Sequence, residues 1–296
     1  MKYLIVILIS LLLLSCSSSQ SDKLIIGLIK PSLNHLPLQY ALENIEGDHT
    51  AYQIEYFHSG WETNEALVAG KIDLAIMPFT YIWMDVSQDK KVKIISFFER
   101  ESDGIIASKE FTSLAQLQNG KLGVLKSSTL EIIPEMVFAQ QGLSLPEILF
   151  FRTPMDMAAA LKAGEVDALS YYVPSILNFP EDYHIIDWYS STFPQHTCCN
   201  IAATELAIAS KDQLIKSFLT LLNHNPQKHD KLIPTAIQYY GLPAETVKNS
   251  LLHTRYIMGL DQKGIDFETK AADIMLQKGY LKRKVTPDEV YHKLLP

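Results

Sequence analysis

Three cysteines in 296 residues, at positions 16, 198 and 199, exclude a fold held together by disulfides. Cys198 and Cys199 are neighbours, and neighbours bridge only through a strained small ring. Arginine is almost as scarce: Arg100, Arg152, Arg255 and Arg283 complete the set. A site that grips sulfonate or carboxylate through guanidinium forks has little to draw on. Excess positive charge is missing too. The formal net charge is −7 and the charges are dispersed, which removes the electrostatic footprint of a nucleic-acid-binding protein. Beyond the first twenty residues no long apolar run occurs. With 47% hydrophobic and 10% aromatic residues, the chain must stand on its hydrophobic core, as one large domain or two of ordinary size.

The opening segment is what the chain does have in excess. Lys2 precedes an apolar run over residues 3–14, followed by Leu13-Leu14-Ser15-Cys16 and serines 17–19. The run is shorter than the ~20 residues of a membrane span. Its charged start, apolar middle and small-residue end have the form of a secretory signal. Leu-Leu-Ser-Cys resembles a bacterial lipobox. The expectation is therefore a signal over residues 1–15, lipid on Cys16, a tether over 16–22, and an exported protein anchored to a bacterial membrane.

A pattern recurs 94 positions apart. Phe57, Ala66-Leu67, Ala69-Gly70, Ile72 and Asp73 are matched by Phe151, Ala160-Leu161, Ala163-Gly164, Val166 and Asp167. Each stretch reads as a strand end, a turn and an amphipathic helix stopped by glycine, with Asp opening a buried strand at residues 74–77 or 168–171. Upstream of each lies a β-rich run, Leu24-Ile25-Ile26-Gly27 and Lys121-Leu122-Gly123-Val124, followed by a polar loop and a proline, Pro37 or Pro134. Proline there suits the first turn of a helix. A twofold β-loop-α-β-turn-α-β order predicts two α/β lobes with short, mainly parallel sheets. Residues 97–107 and 197–210 read as the crossings between lobes. Helical periodicity near residues 214–222, 232–240, 244–252, 267–278 and 287–294 predicts a helical remainder that rejoins the first lobe.

The run Ala66-Leu67-Val68-Ala69-Gly70-Lys71-Ile72-Asp73-Leu74-Ala75, its partner at 160–168, and Lys121-Leu122-Gly123-Val124 resemble the type II periplasmic binding proteins of ABC transporters. Lys278-Gly279-Tyr280-Leu281 and Thr286-Pro287-Asp288-Glu289 are similar to the branch for nitrate, sulfonates, taurine and thiamine pyrimidine precursors. The resemblance implies an α/β fold of two lobes, each a short mixed, mainly parallel sheet flanked by helices. Residues 23–103 and 205–296 would form the first lobe and 104–204 the second. It further implies a monomeric receptor that closes on a small-molecule ligand and delivers it to an ABC permease, with no catalysis, cofactor, metal or nucleic acid.

Loops that would face the cleft supply the candidate ligand-binding residues: Asn34 and His35, with Ser32, after the first strand; Trp61 and Thr63, with Gly60 and Glu62; Phe79, Thr80 and Tyr81. From the second lobe come Ser127, Ser128 and Thr129, then Thr153, then Tyr171 and Tyr172. Ser127-Ser128-Thr129 reads equally as a helix cap or a ligand contact. The rings suit a flat heterocycle or the core. Glu62 could accept from amino groups or complement its own helix. Lys30 and Lys126 read as solvated strand ends or as anion partners.

Pro194-Gln195-His196-Thr197-Cys198-Cys199-Asn200 is compositionally odd. It could supply soft ligands or a nucleophile, and it is similar in part to the His/Cys-rich segment of thiamine pyrimidine synthases of the same fold. Without a second Cys/His pair at metal spacing, structural thiols at the hinge are the favoured reading. The expected ligand is an aromatic, nitrogen-containing one, such as a thiamine pyrimidine precursor. Sulfonate, taurine or nitrate comes next, then an enzyme of the same fold, of the pyrimidine synthase or menaquinone-route dehydratase type.

Overall fold

The computed structural model describes residues 23–30, 32–44, 49–224 and 229–294. Cys16, the signal and the tether lie outside the described residues. The strands, in chain order, are β1 (Leu24–Ile29), β2 (Tyr52–Phe57), β3 (Leu74–Pro78), β4 (Val92–Arg100), β5 (Asp103–Ser108), β6 (Lys121–Leu125), β7 (Glu147–Phe151), β8 (Ala168–Tyr172), β9 (Tyr183–Trp188), β10 (Thr197–Thr204) and β11 (Arg255–Gly259). They form two sheets, ordered β11-β4-β10-β3-β1-β2 and β7-β6-β8-β5-β9. β1 runs parallel to β2 and β3, and β6 parallel to β7 and β8, while the remaining pairings are antiparallel.

The two lobes solve the same packing problem in the same way. Gly27 in β1 and Gly123 in β6 have no room for a side chain. A Cβ would lie 2.4 Å from Ile72 Cδ1 at the first and 2.7 Å from Leu169 Cδ2 at the second. The helices Gly60–Val68 and Pro154–Ala163 both unwind through a left-handed glycine, Gly70 at φ +67° and Gly164 at φ +73°. At each end the next N–H reaches back five residues, Lys71 to Ala66 O and Glu165 to Ala160 O, both at 2.9 Å. This is the pairing that satisfies the last carbonyls of a helix ending in glycine. Asp73 then accepts the Ile25 N–H and Asp167 the Lys121 N–H, both at 2.8 Å. The repeated aspartates thus pin the start of the neighbouring parallel strand.

β4 hands over to β5 through Glu101 and Ser102, so one continuous stretch leaves the first sheet and enters the second. The return runs from β9 through the helix Tyr189–Thr192 to β10. β10 pairs along its length with β3 and β4. Residues 197–204, which the sequence assigns to the second lobe, are hydrogen-bonded into the first sheet between β3 and β4. The helices Asp212–His224, His229–Tyr240 and Ala244–Leu252 lay Phe218, Leu232 and Val247 against Leu24, Ile26 and Leu28. Each such fully buried side chain contributes about 1.5–3 kcal/mol. The helix Gln262–Gln277 behaves differently, joining Phe267 and Ala271 to Ile132, Val137 and Phe138 of the second lobe.

Three local expectations are corrected. Pro134 lies inside the helix Thr129–Gln140, not in its first turn. Residues 79–81 open the helix Phe79–Val86 directly after β3, not a loop. The stretch between two C-terminal helices contains β11, which pairs with β4. Its alternation is too short to register beside strong helical periodicity.

Candidate functional site

Ligands of open α/β folds bind beyond the carboxyl ends of parallel strands. In this chain those ends converge on the start of β10. Thr129, opening the helix after β6, places Oγ1 3.6 Å from Cys198 Sγ. Tyr81, after β3, has its hydroxyl pushed up by burial and then by Cys199 and Glu131. Tyr172, ending β8, is raised by burial and then by Tyr171 and Cys199. Thr129 thus contacts the pair of thiols, and Cys199 acts electrostatically on the hydroxyls of Tyr81 and Tyr172. Both thiols are buried, and neither is in a disulfide. Contact with Cys199, burial and Asp103 push the Cys198 thiol well up, so it is held neutral and is a poor nucleophile.

Three helix starts at this end of the sheets are already occupied, while those of Leu36–Glu43 and Phe79–Val86 carry no side-chain cap. Ser59 caps the Glu62 N–H at 3.2 Å, and the Glu62 carboxylate accepts the His58 N–H at 3.0 Å. Ser128 caps the Leu130 N–H at 3.2 Å, while Glu131 accepts the Ser127 N–H at 2.6 Å. Ser127 holds the left-handed φ of +62° that this geometry requires. Thr153 caps Asp156 and donates its hydroxyl to the Asp156 carboxylate at 2.7 Å. Helix N-termini attract anions through unpaired N–H groups and a positive dipole end. Here each of the three carries its own carboxylate.

The floor between the lobes is rich in buried acid. Asp103 and His196 are fully buried, with Nε2 3.0 Å from Oδ1, and His196 Nδ1 lies 2.9 Å from the Phe193 carbonyl. Burial opposes charging His196, but Asp103 and that carbonyl outweigh it and the pKa rises. Two acceptors around one ring fix the imidazolium. Glu99 is fully buried in β4. Burial and then Asp103 raise it to about 7, with Ser102 and Cys198 giving partial relief. Arg100 beside it is committed elsewhere, to Asp261 and the Gln195 carbonyl.

The other sequence candidates occupy varied places. Trp61 is 59% exposed at its helix start, and Thr153 is also exposed. Thr63 is fully buried and donates to the Ser59 carbonyl at 2.9 Å. Phe79 packs edge-on against Phe267. Thr80 is buried, with a hydroxyl that lacks a partner. Tyr171 donates to the Pro154 carbonyl at 2.8 Å. His35 is buried with Nε2 2.8 Å from the Tyr240 hydroxyl; burial, then Lys30, lowers its pKa to about 3. Asn34 lies in the short helical turn Leu33–His35. Sequence reasoning missed Tyr56 and Tyr239, whose hydroxyls meet at 3.0 Å and whose rings both lie about 5 Å from Lys30 Nζ. The signal available was Lys30 itself, a cation at a strand end.

Two α/β lobes joined by crossing strands define the periplasmic-binding-protein fold. The periplasmic aliphatic sulphonate binding protein SsuA of Escherichia coli superposes with a TM-score of 0.75 at 18% identity, covering 93% of each chain. The alkanesulfonate-binding protein SsuA of Xanthomonas axonopodis pv. citri, bound to MOPS, gives 0.77 at 19% identity, covering 93% of this chain and 99% of its own. The nitrate-binding protein NrtA of Synechocystis PCC 6803 gives 0.74 at 14%, covering 92% of this chain and 86% of its own. Proteins of Brucella abortus and Brucella suis that carry the name binding protein are 22% identical over 246 residues, 77% of this chain and 76% of theirs. The NMT1/THI5 like family model matches residues 54–227, and the chain belongs to that family.

Proposed function

We propose that this chain is an exported solute-binding receptor of an ABC importer, anchored through lipid on Cys16, that captures a small heteroaromatic ligand bearing amino groups. The first lobe is taken as 23–103 and 205–296, with β10 added, and the second as the intervening residues. The receptor works as a monomer beside its permease, by binding and not by catalysis. Of the sequence candidates, Trp61, Tyr81, Thr129 and Tyr172 are the proposed contacts, with Ser127 and Ser128 shaping the helix start.

The observation that carries the ligand class is the prior occupation of the three helix starts by Glu62, Glu131 and Asp156. At these three starts an oxyanion would meet carboxylates where it needs free N–H groups. A ligand with N–H donors and a π-face would find acceptors and rings instead. The neutral Cys198 thiol supports a receptor over a thiol-dependent enzyme.

A thermal-shift screen of the purified chain against aminopyrimidines, thiamine, taurine, alkanesulfonates and nitrate tests the reading. At about 100 times its Kd a ligand stabilises the native state by ~2.7 kcal/mol. The expected outcome is a shift with an aminopyrimidine that Trp61→Ala reduces. A shift with sulfonate or nitrate alone keeps the receptor and rejects the ligand class.

A further inference from the structure

We propose that the end of the first lobe where its parallel strands begin is a docking face for an anionic phospholipid surface. The starts of β1, β3 and β4 and the end of β10 are tied together there. Lys211 Nζ donates to the Lys23 carbonyl at 2.8 Å and pairs with Asp73 at 2.7 Å. The Thr204 N–H donates to the Asp73 carbonyl at 3.2 Å, and the Glu205 N–H to the Lys91 carbonyl at 2.9 Å. The C-terminal segment joins the same end: the Lys282 N–H reaches Ser87, and Arg283 reaches the Val86 carbonyl. Two short basic runs far apart in sequence, 90–93 and 282–284, thus meet beside Lys23 and Lys71. The patch exists only in the fold, on a chain whose formal net charge is −7.

Most acids at this end are already neutralised. Asp73 pairs with Lys211, Asp85 with Lys90, Asp89 and Glu289 with Arg283, and Glu205 with Lys93, at 2.7–3.7 Å. Lys71, Lys91, Lys282 and Lys284 are exposed and enter no ion pair among the described residues. The exposed acids Glu65 and Asp288 offset part of that charge, and the remainder is positive. A lysine close to an anionic bilayer strengthens binding by about fivefold.

The occupant is set by the chain that leaves this end. Lys23 immediately precedes β1, and only seven residues, 16–22, separate it from Cys16. The proposal rests on Cys16 carrying lipid, as read above. Seven residues span at most about 25 Å when fully extended, so a lipid there holds this end of the molecule beside the bilayer. A basic face kept so near comes within the ~8 Å over which charge acts at physiological salt. A lipid chain and a basic patch together anchor more firmly than either does alone. The carboxyl ends of the same strands, with the proposed ligand contacts, lie at the opposite end of the sheet. A receptor resting on this face therefore keeps its cleft open to solvent.

The test is co-sedimentation of the mature chain, residues 16–296 with Cys16→Ser so that no lipid is present, with phospholipid vesicles. One set contains phosphatidylglycerol and phosphatidylcholine, the other phosphatidylcholine alone. The expected result is binding to the anionic vesicles only, weakened by added salt. Lys71→Gln/Lys91→Gln/Lys282→Gln/Lys284→Gln should bind more than about tenfold more weakly at an unchanged urea midpoint. Removing four exposed lysines elsewhere, in Lys121→Gln/Lys162→Gln/Lys248→Gln/Lys263→Gln, should leave binding within about twofold of wild type, which separates this face from net charge. Equal binding to both vesicles, or none to the anionic ones, overturns the proposal. So does wild-type binding by the variant of this face. Lipid on Cys16 is read separately, from the mass of the wild-type chain recovered from bacterial membranes. Absence of that added mass rejects the anchor, whereas vesicle binding holds or fails independently of it.

Discussion

His35 shows how a single buried residue sets a pH limit on the whole fold. Its Nε2 meets the Tyr240 hydroxyl and its Nδ1 has no partner, so a charged ring would leave a buried N–H unsatisfied. Burial and then Lys30 hold the folded pKa at about 3, against ~6.5 for an unfolded histidine. Between those values the unfolded chain binds the extra proton, so stability falls as pH drops from about 6.5 towards 3. Full titration of this one group is worth roughly 5 kcal/mol. The difference in urea-unfolding free energy between wild type and His35→Gln, followed from pH 7 to pH 4, should therefore change in the variant's favour as pH falls. A difference independent of pH would show that His35 is charged or exposed in the native state. Sequence placed His35 beside the site because it follows a strand end. The partner that claims it, Tyr240, lies 205 residues away, and no local pattern carries such a distance. The serine caps were legible because capping is a short-range matter of spacing and side-chain type. That an acid of its own fills the helix start at Ser127 depends on backbone geometry, a left-handed residue turning its N–H onto Glu131.

Among elements, the duplicated β-α-β unit was the most legible part of the chain, and its residues turn out to have identical duties. Glycine at 27 and 123 admits a close neighbour, glycine at 70 and 164 unwinds a helix, and aspartate at 73 and 167 caps a strand start. The two aspartates differ in one respect. Asp73 also pairs with Lys211, whose ammonium is nearly buried, at 2.7 Å, whereas Asp167 lies in an exposed setting with a backbone partner. Removing Asp73 leaves the Lys211 ammonium with the Lys23 carbonyl but no counter-charge, at a cost near 3 kcal/mol, while losing a single ordinary hydrogen bond costs about 1. Asp73→Ala should therefore destabilise about three times as much as Asp167→Ala in urea melts. Equal losses would mean that Lys211 relaxes to other acceptors. What the pattern could not show was the register slip in β10, since a bulge depends on the partner strand as much as on its own sequence.

At the scale of the molecule, the C-terminal segment makes contacts with both lobes. Residues 282 and 283 are fixed to the first lobe: the Lys282 N–H donates to Ser87 and the Arg283 guanidinium to the Val86 carbonyl. A few residues earlier the same segment reaches the second lobe. Tyr280 donates to Glu131 at 2.8 Å, and Lys278 lies 3.1 Å from Glu131 and 2.9 Å from Glu135. A second bridge stacks Trp188, ending β9, on His253 at 3.7 Å between ring centres. In a receptor that works by hinge closure, as proposed above, contacts of this kind that break on opening would bias the equilibrium towards the closed state by their own free energy. Lys278 is partly exposed, so its ion pairs are weakened by solvent, and the Tyr280 bond to a buried carboxylate is the stronger member. The double variant Tyr280→Phe/Lys278→Ala should lose about 2 kcal/mol of closing bias, roughly a thirtyfold change in the closed-to-open ratio. Small-angle X-ray scattering of the ligand-free chain would then give a larger radius of gyration than wild type at unchanged secondary structure. An unchanged radius would place the closing energy elsewhere, in the apolar contacts of Phe267 and Ala271 with the second lobe. Those contacts belong to the helix Gln262–Gln277, so in that case the bias would be set by hydrophobic burial and would be insensitive to salt.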